Sequence, residues 1–205
     1  MTEHSARQTR IISEAFTLLE RYGLPELTTK RLAAALGVSE AALYRHFASK
    51  RAILEGMVER LEANTVESWT HACAAGPAPL AQIRAFFVRQ AHQFESFPPL
   101  SLFLLNAEPL RHEAQLYRRV QDLMTRSLAQ LHELLTQARA SGSVNPAADP
   151  ETLVFMVAGG FRLLVSSWHE HGEGPGPGPG PGPGLVERTR AYVTSVLSAV
   201  GGGHS

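Results

Sequence analysis

Residues 28–47 read TTKRLAAALGVSEAALYRHF, and the organisation of the chain follows from them. Thr28 or Thr29 can cap a short helix whose inner face is Leu32, Ala33 and Leu36. Gly37 then supplies the left-handed backbone position that a tight interhelical turn prefers. Ser39 caps a second short helix, with Val38, Leu43 and Phe47 folding back on the first. Two short helices crossing through a glycine turn form a helix-turn-helix, whose second helix fits the DNA major groove. Ala33, Ala34 and Ala35 permit close helix approach, and Ala41 and Ala42 keep the second helix slim enough to sink toward base edges.

Charge supports that reading locally. The 205 residues carry 19 Lys and Arg against 19 Asp and Glu, a formal net charge of zero. Between Thr28 and Arg51, however, five cations (Lys30, Arg31, Arg45, Lys50, Arg51) face one anion, Glu40. The segment is therefore +4 and the remainder −4. Where positive charge lies matters more to a nucleic-acid partner than the total. Arg31 and Arg51 read as ordinary solvated charges.

The longer stretch LTTKRLAAALGVSEAALYRHFASKRAIL, residues 27–54, closely resembles the DNA-binding domain of TetR-family regulators. The elements that carry the likeness are Thr28, Gly37, Val38, Ser39, Leu43, Tyr44, His46, Phe47 and Lys50, within a match over about Arg10 to Met57. The resemblance implies a DNA-binding set of Thr28, Thr29, Lys30, Ser39, Glu40, Ala41, Ala42, Tyr44, Arg45, His46 and Lys50. Thr29 and Lys30 would touch phosphate and a base; Glu40, Ala41, Ala42 and Arg45 would face bases; Tyr44, His46 and Lys50 would contact phosphates. Arg45 suits guanine, whose O6 and N7 its fork can pair together. Glu40 either accepts from cytosine or repels phosphate and so enforces register.

Helical spacing recurs along the whole chain, so the expected fold is all-α. Helices are expected over Ser5–Tyr22, twice within Thr28–Phe47, from Ser49 past Trp69, over Leu80–Phe94, Leu100–Ala107, Arg111–Ser141, Pro150 to His171 and Leu185–Val200. The resemblance implies a three-helix DNA-binding domain over residues 1–52 and a helical effector-binding and dimerisation domain over residues 53–205. Within the latter, residues 172–184, GEGPGPGPGPGPG, read as a flexible linker, because alternating Gly and Pro cannot hold helix or ladder hydrogen bonds.

Leu153–Val165 is apolar nearly all round, as expected of a helix covered on several sides. With the last helix it would build a four-helix homodimer interface, including Phe155, Gly159, Phe161, Leu164, Tyr192 and Val196. The resemblance also implies a small-molecule pocket behind the fourth helix; Trp69, Phe86, Phe94, Phe103, Asn106, Met124 and Arg162 are its candidates. Arg162, a cation in an apolar helix, calls for a partner such as Glu108 or an acidic ligand.

Other classes are poorly served. His169-Glu170-His171 lacks the four-residue spacing of a helical zinc site, and no phosphate loop or nucleophile elbow appears, so no metal, cofactor or catalytic residue is expected. The single cysteine, Cys73, makes no internal disulfide. Leu153–Ser167 is interrupted by Arg162 and falls short of a membrane span, and MTEHSARQTR has no apolar signal core. The expectation is a cytoplasmic, nucleoid-associated homodimer on a palindromic operator. It would be a repressor released by a small apolar or amphipathic effector, the alternative being a DNA-bound nucleoid-occlusion inhibitor of cell division.

Overall fold

The computed structural model describes residues 4–170 and 184–201, with only the backbone of Pro109. These residues form helices α1 (Ala6–Tyr22), α2 (Thr29–Leu36), α3 (Glu40–Tyr44), α4 (Lys50–Ala74), α5 (Pro79–Ser96) and α6 (Pro98–Leu105). A 3-10 turn (Glu108–His112) precedes α7 (Ala114–Ala140). Then come α8 (Pro150–Val154), a π turn (Phe155–Gly159), α9 (Gly160–Glu170) and α10 (Leu185–Ala199). Among the described residues there is no strand, only the isolated bridge Val144–Gly201. The fold is all-α.

Two compact units result, and α4 and α7 each contribute to both. Of the described residues, the first holds 4–63 and 99–122, so a stretch near the middle of the chain is built in with the N-terminal helices. Ser5 caps α1 in a reciprocal capping box with Gln8. Every fourth or third residue of α1 turns inward, placing Ile11, Ile12, Ala15, Phe16, Leu18 and Leu19 in the core. Phe16 meets Phe103 of α6 edge-on at 5.3 Å. Gly56 lets α4 approach α1: a Cβ there would stand 2.8 Å from Ile12 Cδ1. Arg60 donates to Ser13 Oγ at 2.7 Å with its guanidinium over the Phe16 ring, and burial lowers its pKa. Arg119 forks onto Glu62 at 2.7 and 3.1 Å, a paired arrangement that raises the arginine pKa.

Of the described residues, the second unit holds 64–98, 123–170 and 184–201. Trp69 stacks on Phe86 at 3.9 Å and donates its indole N–H to Ser127 at 3.2 Å. Phe161 of α9 lies between Phe87 and Phe94 of α5, at 5.0 and 6.2 Å. Helix α10 runs along α5 and α9, burying Leu185, Thr189, Val193 and Leu197 at four-residue spacing.

Most helix starts follow from local chemistry. Asp149 caps α8, accepting from Thr152 N at 2.8 Å, with Pro150 in the first turn. The chain after α7 turns at Gly142, φ +75°. The sixth helix and the start of the seventh differ from expectation. The short sixth helix starts at Pro98 and ends at Leu105, and the expected start at Arg111 is taken by the 3-10 turn, which delays α7 to Ala114. Residues 172–183 of the expected linker lie outside the described residues, while Gly184 precedes α10.

The reading of the apolar stretch as too short for a membrane needs correction. Pro150–Glu170 runs as one stretch of 21 residues, longer than Leu153–Ser167, and is long and apolar enough to cross a membrane by length and composition. A third of it is buried inside this chain.

Candidate nucleic-acid interface

The helix-turn-helix forms from the caps upward. Thr28 Oγ1 accepts from Arg31 N at 3.2 Å and so starts α2. Gly37 (φ +67°, ψ +33°) ends it, and the Val38 N–H closes on the Ala33 carbonyl at 3.0 Å. Ser39 Oγ accepts from Ala42 N at 3.1 Å and starts α3. Leu32, Ala33, Leu36, Leu43 and Phe47 are all buried between the helices. Each fully buried leucine here contributes about 1.5–3 kcal/mol. A further tie comes from α1: Gln8 Nε2 donates to the His46 carbonyl at 3.2 Å, holding the end of the motif.

With the apolar side committed inward, the outer side presents Lys30, Glu40, Ala41, Tyr44, Arg45 and His46, all exposed; Tyr44 is 47% exposed. Tyr44 is thus a large aromatic left about half in solvent on a short helix. Thr29, Ala42 and Lys50 are half-buried at its edges. Ser49 Oγ accepts from Ala52 N at 3.1 Å, setting Lys50 as the first residue of α4. Tyr44 donates to Thr29 Oγ1 at 3.4 Å, and Thr29 donates to Glu40 Oε2 at 2.9 Å. This hydroxyl chain links α2 to α3.

The cations divide by partner. Arg31 binds Glu26 at 2.9 Å and lies over the Tyr22 ring, and Arg51 bonds Glu55 at 3.1 Å and lies 3.7 Å from Glu113. Lys30, Arg45 and Lys50 have no ion pair among the described residues. Positive charge on this face is therefore uncompensated at three of the five cations the sequence clusters there.

Elsewhere the expected residues scatter. Of the pocket set, Trp69, Phe86 and Phe94 are buried in the second unit, where Met124 is half-buried. Phe103 belongs instead to the core of the first unit, against Phe16, and Asn106 is exposed there, bonding the Leu102 carbonyl at 3.1 Å. Arg162 is exposed on the outer side of α9 and is no interior cation, and Glu108 pairs with Arg111 at 2.7 Å. The sequence missed Gln90 Oε1, Trp168 Nε1 and Thr189 Oγ1, each deeply buried in the second unit without a hydrogen-bond partner among the described residues. Polar atoms interspersed in apolar helix faces give no sequence signal of their own.

Of the interface set, Phe155 is 70% exposed, and on the same apolar stretch Met156 and Leu163 are 46% and 71% exposed. Gly159 is exposed with open space above it, and Leu164, Tyr192 and Val196 are half-buried. Phe161 is turned the other way, into the α5 aromatics, so it leaves the outward face. Among the described residues no three His, Cys, Asp or Glu side chains gather as metal ligands; His171 lies outside them.

Comparison with known proteins agrees with this geometry. The family model for bacterial regulatory proteins of the tetR family matches residues 11–57, from the inner face of α1 to the first turns of α4. The nucleoid occlusion factor SlmA of Escherichia coli O1:K1 / APEC is 30% identical over 152 residues, covering 74% of this chain and 76% of that protein. The TetR family transcriptional regulator PfmR of Thermus thermophilus superposes with a TM-score of 0.74 at 25% identity, covering 92% of this chain and 97% of that one. The transcriptional regulator FadR of Bacillus subtilis, solved in complex with stearoyl-CoA, gives 0.65 at 18% identity, with 94% and 98% covered. The chain belongs to the TetR family of bacterial regulatory proteins, and it is a DNA-binding transcriptional regulator.

Proposed function

We propose that the protein is a homodimeric repressor that seats two copies of α3 in successive major grooves of a palindromic operator and leaves DNA when a small amphipathic molecule binds its body. The observation that carries the reading is the outer face of the motif, where Tyr44, Lys30 and Arg45 are exposed beside Lys50. In that arrangement Tyr44, His46, Thr29 and Lys50 fix register on phosphates, while Arg45, with Ala41 and Ala42 alongside, meets base edges. Thr28 and Ser39 serve as caps that set the two helices at the groove. Residues 1–52 act as the reading domain and residues 53–205 as the effector and dimerisation domain.

Dimerisation is supported by Phe155, Met156 and Leu163, large apolar side chains exposed on the α8–α9 stretch beside Arg162. A second copy covers this face in our reading, in keeping with a cytoplasmic, nucleoid-bound protein. Ligand binding is supported by the Gln90, Trp168 and Thr189 polar atoms, buried in the second unit without a hydrogen-bond partner among the described residues, which an apolar molecule carrying a few polar groups would satisfy. The stearoyl-CoA held by FadR is amphipathic, joining a long apolar chain to a large anionic head. No enzymatic step is assigned. A ligand releases DNA only to the extent that it prefers the unbound conformation.

One observation favours a second reading: the relatives at 30% identity are nucleoid occlusion factors, so the protein could bind many chromosomal sites and restrain division. Sequencing of genomic fragments bound by the protein separates the two. A few promoters, one adjoining its own gene, support repression; many scattered sites support occlusion. In parallel, stearoyl-CoA serves as a probe of ligand control. If it and a recovered promoter fragment leave each other's affinities unchanged, release by an acyl-CoA is wrong.

A further inference from the structure

We propose that Glu40 is a positioning residue that competes with DNA: its carboxylate holds the Thr29 and Tyr44 hydroxyls in the unbound protein, and a phosphate must displace it. The inference rests on the reading of Thr29 and Tyr44 as phosphate-contacting groups. A hydroxyl has one proton to give. The Thr29 proton is directed at Glu40 Oε2, 2.9 Å away, and the Tyr44 proton at Thr29 Oγ1, 3.4 Å away. While this chain stands, neither proton points outward. Carboxylate and phosphate oxygens accept charge-assisted hydrogen bonds from the same donors, so they compete for them.

The place of Glu40 in the fold fits this role. It is the first residue of α3, where a negative charge is favoured by the helix dipole. An anion is thereby retained on a face that otherwise carries Lys30, Arg45 and Lys50. Both Glu40 and Tyr44 are exposed, so the exchange needs a side-chain rotation and no movement of the buried Leu43 or Phe47. Glu40 then sets how readily the head engages any duplex and does not select the base beneath it.

The test measures binding of the full chain to a genomic fragment recovered by selection and to a random-sequence duplex of equal length. Wild type, Glu40→Ala, Glu40→Gln, Thr29→Val and the Thr29→Val/Glu40→Ala double variant are compared. The expected result is that Glu40→Ala binds both duplexes about three- to fivefold more tightly per reading head, the size of one exposed charge-assisted bond. Glu40→Gln, which keeps an acceptor, gains less. In the Thr29→Val background most of the gain disappears, and the thermal stability of Glu40→Ala is no higher than that of wild type. A purely structural role would instead lower affinity and stability together, and overturns the proposal. An equal gain with and without the Thr29 hydroxyl means simple charge repulsion and also overturns it. So does a change in preference at one base position, which would make Glu40 a base reader. If wild type binds neither duplex, the phosphate-contact reading itself falls with it.

Discussion

At the scale of single residues, the motif depends on groups whose roles are local. Gly37 sits at φ +67° with nothing within 4 Å of a built Cβ, so Gly37→Ala introduces backbone strain and no clash. The expected loss is about 1 kcal/mol, read as a lower urea midpoint with an unchanged slope. Asp149 offers a pH test. Its carboxylate accepts from the Thr152 backbone N–H and then from the Thr152 hydroxyl, which together hold its pKa below the usual range. A folded pKa below the unfolded one contributes stability above the unfolded pKa, and that contribution is lost as pH falls through the folded value. Asp149→Ala should therefore flatten the pH dependence of urea unfolding below about pH 4, and an unaltered profile would contradict the cap. Gly37, Ser39 and Asp149 were legible in the sequence because each acts on residues two or three away. The Thr29–Glu40 bond was not, since it depends on side-chain directions across two helices. Gln8 lay between: its capping box with Ser5 has a sequence signature, but its second bond, to His46, has none.

At the scale of elements, the π turn between α8 and α9 shows where periodicity stops being informative. Apolar spacing marks a helix through Leu153–Val165, and a helix is there. The register break at Phe155–Gly159, however, is tied to Tyr192 of α10, whose hydroxyl donates to the Met156 carbonyl with the Val157 carbonyl at 3.2 Å. Gly160 makes room for it: a Cβ there would stand 2.6 Å from Tyr192 Cζ and nearer still to the hydroxyl. Gly160→Ala should cost about 1–3 kcal/mol by displacing that ring. In a Tyr192→Ala background the same change should cost little, so the pair should be strongly non-additive in urea unfolding. Additive losses would show that the ring and the glycine act independently. The same long-range dependence explains Phe161. Its neighbours on α5 are more than sixty residues earlier, and only folding shows that it faces them and not solvent.

At the scale of the whole molecule, the all-α architecture was readable because helical spacing, caps and proline breaks repeat from end to end. The assignment of aromatic residues to a ligand site was less readable, since core and cavity draw on the same residue types. Phe103 illustrates this, belonging to the core of the first unit beside Phe16. The exposed Phe155, Met156 and Leu163 make dimerisation testable at this scale. Leu163→Asp should shift sedimentation from dimer to monomer and weaken operator binding, because two linked heads bind far more tightly than one. A Leu163→Asp protein that remains dimeric would place the interface elsewhere.

The central claim is that the outer face of α2 and α3, with the start of α4, engages a duplex. The most direct measurement is the salt dependence of binding to recovered genomic fragments for wild type and for the Tyr44→Ala/Lys50→Ala variant. The account predicts a loss of affinity on every fragment and a shallower salt slope, by about one per reading head for the lost Lys50 contact. Unchanged affinity with an unchanged slope would contradict it.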